Sequence, residues 1–299
     1  MRIGIDLGGT KIAAIAMDDD ARTAWESRIA TPRDDYAATI EAIAGLVDAA
    51  EHATGTTGTV GVAIPGAVSP ATGLIKNANS TWLNGRRLPE DLAARLQRPV
   101  RLANDANCLG VSEAADGAAA DARVVFAVIL GTGTGGAMVV DKQPITGANA
   151  IAGEWGHNPL PWALPAEQPG PLCYCGQRGC IETFLSGPGI TRDYVARGGR
   201  PLTAERIAAA ARAGEAIAHA ALEAWTHRAA RALASVINIL DPDVIVVGGG
   251  LSQVATLYDR VPARWSGWVF SDRVATPLVP ARHGDASGVR GAAWLWDTP

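Results

Sequence analysis

The apolar residues of this chain follow two periods, one typical of buried strands and one typical of amphipathic helices. Short apolar runs rich in Val, Ile and Ala predict strands at residues 3–7, 12–17, 59–65, 100–104, 124–130, 137–140 and 243–247. Between them, a period near 3.6 predicts helices, for example at 36–47, behind the capping residues Asp34 and Asp35, and at 216–240, which Pro242 ends. Strands that alternate with helices along the chain predict an α/β fold.

Two of the predicted strand pairs enclose a glycine-rich turn. GTGTGG (131–136) has the spacing G-x-G-x-x-G of dinucleotide-binding loops, which must lead into a helix. AMVVD follows instead and predicts a strand, so we favour a hairpin over a Rossmann loop. The N-terminus repeats the design, with Gly8 and Gly9 between IGIDL and IAAIAM. Each turn is expected to expose backbone N–H groups, and each contains a threonine, Thr10 or Thr132. Because N–H and hydroxyl groups bind anions, the two turns together predict a polyphosphate held from two sides.

Length and charge narrow the class of partner. A chain of 299 residues is expected to form two domains around a cleft, where ligands commonly bind. The net charge is −4 and no run of Lys or Arg is present, which favours a small-molecule partner over nucleic acid or an anionic membrane. We recognise neither a signal peptide nor the ~20 apolar residues that span a bilayer, and expect a cytoplasmic protein. In that compartment the four cysteines favour metal binding or burial over disulfides.

Most of the cysteines lie in one loop. CYCGQRGC places Cys173, Cys175 and Cys180 within eight residues, and a tetrahedral zinc site needs one more ligand. His157 is a better candidate for it than Cys108, which falls inside a predicted helix. We predict a structural zinc site with three cysteines and one histidine, the alternative being buried thiols.

Two aspartates follow predicted strands. Asp6 precedes the first glycine turn, where it either faces Mg²⁺ through water or closes a tight turn. Asp105 begins a predicted helix, either as its cap or as the base that accepts a hydroxyl proton in phosphoryl transfer. The neighbouring Asn104 has the donors and acceptors to bind sugar hydroxyls.

Acidic and aromatic residues flank the zinc loop. Surface glutamates are usually solvated, but Glu154 and Glu182 lie on either side of the metal ligands and are candidates for binding sugar hydroxyls. Trp82, Trp155 and Trp162 are candidates for stacking on a sugar face or for core packing. After the strand at 243–247 and the three glycines that follow it, we expect Ser252 to cap a helix.

Six motifs follow one another along the chain: DLGGTK (6–11), NDAN (104–107), GTGTGG (131–136), GEWGH (153–157), CYCGQRGC followed by IE (173–182), and VGGGLS (247–252). In this order, from end to end, they make the chain resemble the ROK family, whose name abbreviates repressor, open reading frame and kinase. The resemblance implies an actin-like (ribonuclease H-like) duplicated ATPase fold with two lobes around a central cleft. We assign residues 1–118 and a C-terminal helix at 287–299 to the N-terminal lobe, and residues 119–286 to the C-terminal lobe.

The resemblance also implies ATP-dependent phosphorylation of a hexose, with Mg²⁺, a structural zinc ion and a homodimer. Asp105 would be the general base, and His157 would use one ring nitrogen for zinc and the other for the sugar. The sugar would be contacted by Gly66, Asn79, Asn104, Asp105, Glu154, His157 and Glu182. Phosphates and Mg²⁺ would be held by Asp6, Gly8, Gly9, Thr10, Lys11, Thr132 and Gly133, and the adenosine would be bordered by Gly248, Gly249 and Gly250.

Within the family, three segments look most like bacterial fructokinases, also described as mannofructokinases. They are KNANSTWLNG (76–85), GEWGHNPLPW (153–162) and HGDASGVRGAAWLW (283–296). Related N-acetylglucosamine kinases share the zinc loop and the HGD stretch, so N-acetylglucosamine, glucose and mannose remain alternative substrates.

Other members of the family are sugar-responsive repressors. They carry a helix-turn-helix before the first glycine hairpin, whereas five residues precede Asp6 here, and the acidic balance suits DNA poorly. A non-catalytic sugar sensor is a further alternative, against which Asp105 argues because binding alone needs no base.

Overall fold

The computed structural model describes residues 1–296 and contains the predicted alternation of strands and helices. No helix in that range combines the length and apolar character needed to cross a bilayer. The strands are β1 (Arg2–Leu7), β2 (Lys11–Met17), β3 (Thr23–Ala30), β4 (Thr59–Ile64), β5 (Ala67–Val68), β6 (Ile75–Lys76), β7 (Val100–Asn104), β8 (Val124–Leu130), β9 (Thr134–Val140), β10 (Gln143–Pro144), β11 (Val244–Gly248) and β12 (Leu278–Pro280). The α-helices are α1 (Tyr36–Thr54), α2 (Leu88–Leu96), α3 (Asp105–Ala115), α4 (Ile181–Leu185), α5 (Gly187–Ala196), α6 (Ala204–Arg212), α7 (Ala216–Leu240), α8 (Thr256–Arg260) and α9 (Ser287–Trp294).

The chain divides into two compact units. The first contains Met1–Asp121, Met138–Ala152 and the described residues from Asp285 onward. The second contains Ala122–Ala137 and Gly153–Gly284.

The division places one segment differently from the boundaries that we drew on the sequence. Residues 138–152 belong to the first unit, where Lys76 Nζ donates to the carbonyl oxygen of Asn149 at 2.5 Å. This contact joins positions 73 residues apart, which no local pattern predicts. The predicted C-terminal helix is present as α9, and residues 297–299 of that prediction lie outside the described residues.

The first sheet brings the predicted site residues of its strands to one edge. Its strand order is β3-β2-β1-β4-β7, with β1 antiparallel to β2 and parallel to β4. β4 is in turn parallel to β7, so Ile64 lies opposite Asn104. Because the carboxyl ends of parallel strands meet at one edge, Asp6, the Gly66 turn and Asn104 lie at the same end of this sheet.

The second sheet repeats that order. It runs β10-β9-β8-β11-β12, with β11 parallel to both β8 and β12. Thr134–Val140 is a strand, so the glycines of GTGTGG lie in a hairpin and the Rossmann alternative is excluded. A hairpin followed by two parallel strands in both sheets confirms the duplicated fold.

The C-terminal helix α9 packs against the first sheet at unusually short range. A Cβ atom on Gly61 of β4 would lie 1.9 Å from the carbonyl oxygen of Ala292. One on Gly291 would lie 1.7 Å from the carbonyl oxygen of Cys108 in α3. The two glycines allow α9 to contact both elements directly, which holds α3 and its first residue Asp105 against the sheet.

One predicted cap is wrong. Ser252 is buried inside a 3₁₀ turn, Gly250–Gln253, and its carbonyl oxygen accepts a hydrogen bond from Tyr258 Oη at 2.6 Å. The next helix, α8, begins four residues later at Thr256. A 3₁₀ turn therefore separates the glycines from the next helix, and Ser252 lies inside that turn instead of at the N-terminus of the helix.

Candidate active site

The first glycine hairpin connects β1 and β2. Gly8 N donates to the carbonyl oxygen of Lys11 at 3.0 Å, which closes the turn. Thr31, just after β3, donates through Oγ1 to the carbonyl oxygen of Gly8 at 2.7 Å. Thr10 and Lys11 are exposed. The turn is therefore fixed from the sheet side, while its tip remains accessible to an anion.

Asp6 lies immediately before this hairpin. Burial raises the pKa of its carboxyl group, and the nearby charges of Lys11 and Arg28 act in the opposite direction. Gly288 at the start of α9 faces the carboxylate, since a Cβ there would lie 3.2 Å from Oδ2. Carboxylate oxygen is a donor that Mg²⁺ prefers, so Asp6 fits the predicted contact with a hydrated magnesium ion.

Asn104 and Asp105 form the junction between β7 and α3. Asn104 caps the helix, because its Oδ1 accepts from Ala106 N at 2.9 Å, and its Nδ2 donates to the carbonyl oxygen of Gly66 at 3.1 Å. Its amide group keeps one further N–H and one further lone pair for a ligand. Asp105 is exposed and is the first residue of α3, with Oδ1 accepting from the same Ala106 N at 2.8 Å. The capping role therefore falls mainly to Asn104.

Cys108 in α3 is fully buried. Burial raises the pKa of its thiol well above the usual range, and the charges of Asp6 and Asp105 raise it further, so Cys108 stays in its neutral form. It does not belong to the metal-ligand cluster described below.

The Gly66 turn and the following loop complete the predicted sugar residues of the first unit. Gly66 has φ 84°, and a Cβ atom there would lie 2.4 Å from the carbonyl oxygen of Lys76. Asn84 holds the loop by accepting from Ala78 N and donating to the carbonyl oxygen of Ala78, both at 2.9 Å. Asn79, the next residue, is exposed. The sequence reasoning assigned no role to Asn84, although it lies in the fructokinase-like segment.

The second glycine hairpin, between β8 and β9, is held by side chains from outside its own strands. Thr134 N donates to Glu182 Oε2 at 2.9 Å, and Trp155 Nε1 donates to the carbonyl oxygen of Gly135 at 2.9 Å. A Cβ atom on Gly133 would lie 2.8 Å from Glu182 Oε2. Glu182 therefore lies directly against the hairpin that is predicted to hold phosphate.

The four predicted metal ligands come together. His157 Nδ1, Cys173 Sγ, Cys175 Sγ and Cys180 Sγ all lie within 4.8 Å of one another. A tetrahedral zinc ion with bonds of about 2.3 Å to sulfur and 2.0–2.1 Å to nitrogen places its ligand atoms about 3.6–3.8 Å apart. The distances from Cys173 Sγ to His157 Nδ1 and from Cys175 Sγ to Cys180 Sγ are both 3.6 Å. The donor set and its spacing fit a closed structural zinc site.

Tyr174 is a further residue of this cluster, which the sequence reasoning missed. Its Oη lies 3.0 Å from His157 Nε2, the nitrogen that does not face the sulfurs. Burial raises the pKa of Tyr174 to about 12, and the charges of Glu182 and Glu154 raise it as well, while most of the side chain is exposed. The sequence signal for Tyr174 was its position between two predicted metal ligands, Cys173 and Cys175.

The three tryptophans differ in environment. Trp155 is 5% exposed and packs edge-on against Phe126 with ring centroids 5.7 Å apart, which is core packing. Trp82 packs against the core of the first sheet. Trp162 is 46% exposed and lies 5.3 Å from the ring of Trp268.

A cavity of about 750 Å³ lies within the second unit. Gly131 and Thr132 of the second hairpin line one part of it, and Gly250 lines another. Gly249 has φ 81°, and a Cβ atom there would lie 2.5 Å from the carbonyl oxygen of Leu130. Glycine at this position therefore lets the chain after β11 lie beside β8, which leaves a space of the size that small-molecule sites have.

The duplicated sheets with their paired glycine hairpins define an actin-like, ribonuclease H-like ATPase fold. A model of the ROK family matches residues 2–298, and the chain belongs to this family.

Similar proteins include an N-acetyl-D-glucosamine kinase from Salmonella paratyphi C, which is 41% identical over 299 residues and 99% of each chain. Among solved structures, a ROK hexokinase from Thermus thermophilus has a TM-score of 0.84 and 30% identity, covering 98% of this chain and 96% of its own. A ROK family glucokinase from Streptomyces griseus, in complex with glucose and AMPPNP, has a TM-score of 0.79 and 27% identity over 98% of each chain.

Proposed function

We propose that this chain is an ATP-dependent hexose kinase with Asp105 as the general base. The observation that carries the proposal is the position of Asp6 and Asp105 at one end of the first sheet, where Asp6 precedes the first glycine hairpin and Asp105 directly follows the parallel strand β7. The second unit adds a matching hairpin and a cavity large enough for a nucleoside. A protein that only binds sugar needs neither a base nor two phosphate hairpins.

In the proposed reaction, the Asp105 carboxylate takes the proton of a sugar hydroxyl as its oxygen attacks the γ-phosphorus of ATP. The new O–P bond forms while the bond to the ADP oxygen breaks, and ADP leaves with that electron pair. In the first unit, backbone N–H groups of the glycine hairpin and the Lys11 ammonium group would stabilise the charge on the transferring phosphoryl group, and the hairpin of the second unit offers the same kind of N–H groups to phosphate. Asp6 would hold a hydrated Mg²⁺ ion, which would neutralise further phosphate charge.

Several of the predicted sugar contacts keep hydrogen-bonding capacity. In the first unit, Asn104 retains it beside Asp105, and the Gly66 turn and Asn79 belong to the same unit. In the second unit, Glu154, His157 and Glu182 are the predicted contacts, and a sugar hydroxyl at His157 Nε2 would replace the contact of that nitrogen with Tyr174 Oη at 3.0 Å.

We propose fructose as the preferred sugar. This rests on the three segments that resemble bacterial fructokinases, of which 76–85 includes the loop that Asn84 holds in place. N-acetylglucosamine is the second candidate, since the relatives that are 40–41% identical are N-acetyl-D-glucosamine kinases. One altered hydroxyl contact is sufficient to change the preference between such sugars.

The test is ADP release from Mg-ATP by zinc-replete protein, with kcat/KM compared for fructose, mannose, glucose and N-acetylglucosamine. A lead for fructose supports the proposal. A lead for N-acetylglucosamine retains the roles of Asp105 and the hairpins and changes the sugar alone. No turnover with any of the four, together with measurable sugar binding, would favour a sugar sensor.

A further inference from the structure

The large cavity of the second unit contains one acidic side chain among the residues that line it, Glu205. Most of the lining is backbone and small or hydroxyl side chains, including Thr132, Thr203 and Gly250. Arg206, the next residue, is the one basic group of the lining. A carboxylate inside a predicted nucleotide site is unexpected, because it repels phosphate and accepts hydrogen bonds but does not donate them.

The position of the carboxylate is well defined. Glu205 is the second residue of α6, whose N-cap is Thr203. Hydrogen bonds from the Thr203 hydroxyl group and from its own backbone N–H lower the pKa of Glu205, so the side chain is ionised at neutral pH. A Cβ atom on Gly250 would lie 3.5 Å from Glu205 Oε1. The carboxylate therefore lies across from the glycines that follow β11, and the missing side chain at Gly250 leaves that approach open.

We propose that Glu205 selects the phosphate donor by accepting hydrogen bonds from the ribose hydroxyl groups of a nucleoside triphosphate. This inference rests on the proposed function, which assigns ATP to the cavity. A vicinal diol offers two O–H donors to the two oxygens of one carboxylate, and acidic residues recognise ribose in this way in dinucleotide-binding folds. The same negative charge opposes a donor without ribose, such as inorganic polyphosphate, whose phosphates would have to occupy the space beside Glu205.

Two other roles for Glu205 make different predictions. A glutamate in the first turn stabilises a helix through its dipole, a role that affects all nucleotides equally. The exocyclic amino group of adenine is also a hydrogen-bond donor, and a contact there would discriminate ATP from ITP instead of from deoxy-ATP. Comparison of nucleotides therefore separates the three roles.

The experiment measures kcat/KM for ATP, 2′-deoxy-ATP, 3′-deoxy-ATP, ITP and inorganic polyphosphate with one saturating hexose, in the full chain and its Glu205→Ala and Glu205→Gln variants. A carboxylate hydrogen bond corresponds to about a ten- to hundredfold preference for ATP over the deoxy-nucleotides in the unmodified chain. We expect Glu205→Ala to reduce that preference to less than about threefold and Glu205→Gln to give an intermediate value. ATP should remain favoured over polyphosphate in the unmodified chain, with the margin reduced in both variants.

Glu90→Gln is the matched control, because Glu90 is an exposed glutamate in the first turn of α2, in the other unit. It should leave every nucleotide preference unchanged. An equal preference for ATP over deoxy-ATP in Glu205→Ala and the unmodified chain would overturn the inference. So would discrimination against ITP alone, which would point to an adenine contact.

Calorimetric binding of ATP and 2′-deoxy-ATP without sugar separates this inference from the proposed function. If no hexose is phosphorylated but ATP binds more tightly than 2′-deoxy-ATP in a Glu205-dependent way, the proposed function fails and the assignment of Glu205 stands. If turnover is normal and binding shows no such dependence, the assignment of Glu205 fails alone.

Discussion

The two units share a sheet order but hold their glycine hairpins by different means. In the first unit, the hairpin is closed by its own backbone and by Thr31, which directly follows β3. In the second unit, Glu182 and Trp155 hold the hairpin, and both come from the segment that contains the cluster of predicted metal ligands. The second hairpin thus depends on the loop of this cluster, whereas the first is held by its own sheet.

The same contrast applies to the rest of each unit. The first unit packs α9 against β4 and α3 at glycine positions, with apolar contacts. The second unit buries an ionic cluster in which Glu167 accepts from Arg228 at 2.8 Å and from Arg231 at 2.7 Å, with Arg231 fully buried. The packing of α9 and the Glu167 cluster are therefore features of different copies, so a substitution in either should perturb its own copy.

The largest effect is expected for Asp105→Asn, which removes the proposed base from the first unit. An amide cannot accept the hydroxyl proton, so kcat should fall by about 10²–10⁴-fold while sugar affinity changes little. Steady-state kinetics and calorimetric sugar binding check the two parts. Asp121→Asn, an exposed aspartate of the same unit, serves as the control. A kcat near that of the unmodified chain would contradict the assignment of Asp105 as the general base.

Cys175→Ser should release the metal and destabilise the second unit by more than about 4 kcal/mol, because loss of a structural metal is among the largest single-site effects. Metal content per folded chain and the unfolding temperature measure this. The control is Cys108→Ala, which alters a buried cysteine outside the ligand cluster and should keep the metal content. Proteolytic cleavage should increase within 158–180 and not in the first unit; an unchanged metal content would contradict the ligand set.

Glu167→Gln should cost about 3–5 kcal/mol at pH 7, since it leaves Arg231 buried without a carboxylate partner and leaves Arg228 with Asp193 at 3.1 Å. Burial acts to raise the pKa of Glu167, but hydrogen bonds from Arg231 and Arg228 lower it to about 2. A depressed pKa stabilises the folded state above the ordinary value of 4.5, and this contribution is lost as the pH falls toward 2. Urea unfolding should therefore show a difference between variant and unmodified chain that shrinks below pH 4.5.

The control for this ionic cluster is Glu41→Gln, which breaks an exposed pair with Arg95. It should change the free energy of unfolding by less than about 1 kcal/mol. A similar loss in both variants would argue against a special role for the buried cluster.

Gly61→Ala tests the close packing of the first unit. The added methyl group would lie 1.9 Å from the carbonyl oxygen of Ala292 and must displace α9, at a cost of about 1–3 kcal/mol. Unlike Glu167→Gln, this loss should not shrink below pH 4.5. Gly45→Ala in α1, where a Cβ meets nothing within 4 Å, should instead stabilise by about 0.5–1 kcal/mol. Equal effects of the two substitutions would contradict the packing argument.

The smallest effect is expected for Thr31→Val in the first unit, and Trp155→Phe is its counterpart in the second. Each removes one hydrogen bond to a hairpin carbonyl group, worth about 1 kcal/mol. Valine keeps the shape of threonine, whereas a phenyl ring is smaller than the buried indole and leaves a cavity that lowers stability further. Nucleotide affinity should fall by about fivefold in each variant, as measured by fluorescence titration. Removal of the zinc ion by a chelator should weaken ATP binding further in Thr31→Val, because it loosens the second hairpin, which is intact in this variant. The further loss should be smaller in Trp155→Phe, because its second hairpin already lacks the contact with the zinc loop. Equal sensitivity to chelation would contradict the difference between the hairpins.

Local patterns in the sequence were sufficient for the elements that lie near one another along the chain. The apolar runs located β1, β2, β4, β7, β8, β9 and β11, and the strand after GTGTGG excluded the Rossmann alternative. The ligand cluster was also predictable, because three of its members lie within eight residues. In each case the signal is a short-range period or spacing, which the backbone geometry of strands and tight turns produces directly.

The tertiary structure decided what joins distant positions. The contact between Glu182 and Thr134 joins residues 48 positions apart. The contact between Lys76 and Asn149 joins residues 73 positions apart and links segment 138–152 to the rest of the first unit. Three further features appear only in the tertiary structure: Asn104 caps α3, Ser252 lies inside a 3₁₀ turn, and Tyr174 Oη contacts Nε2 of His157. Spacing along the chain determined which groups this protein has for its chemistry. Packing determined which of them meet, because contacts between distant residues depend on the whole fold.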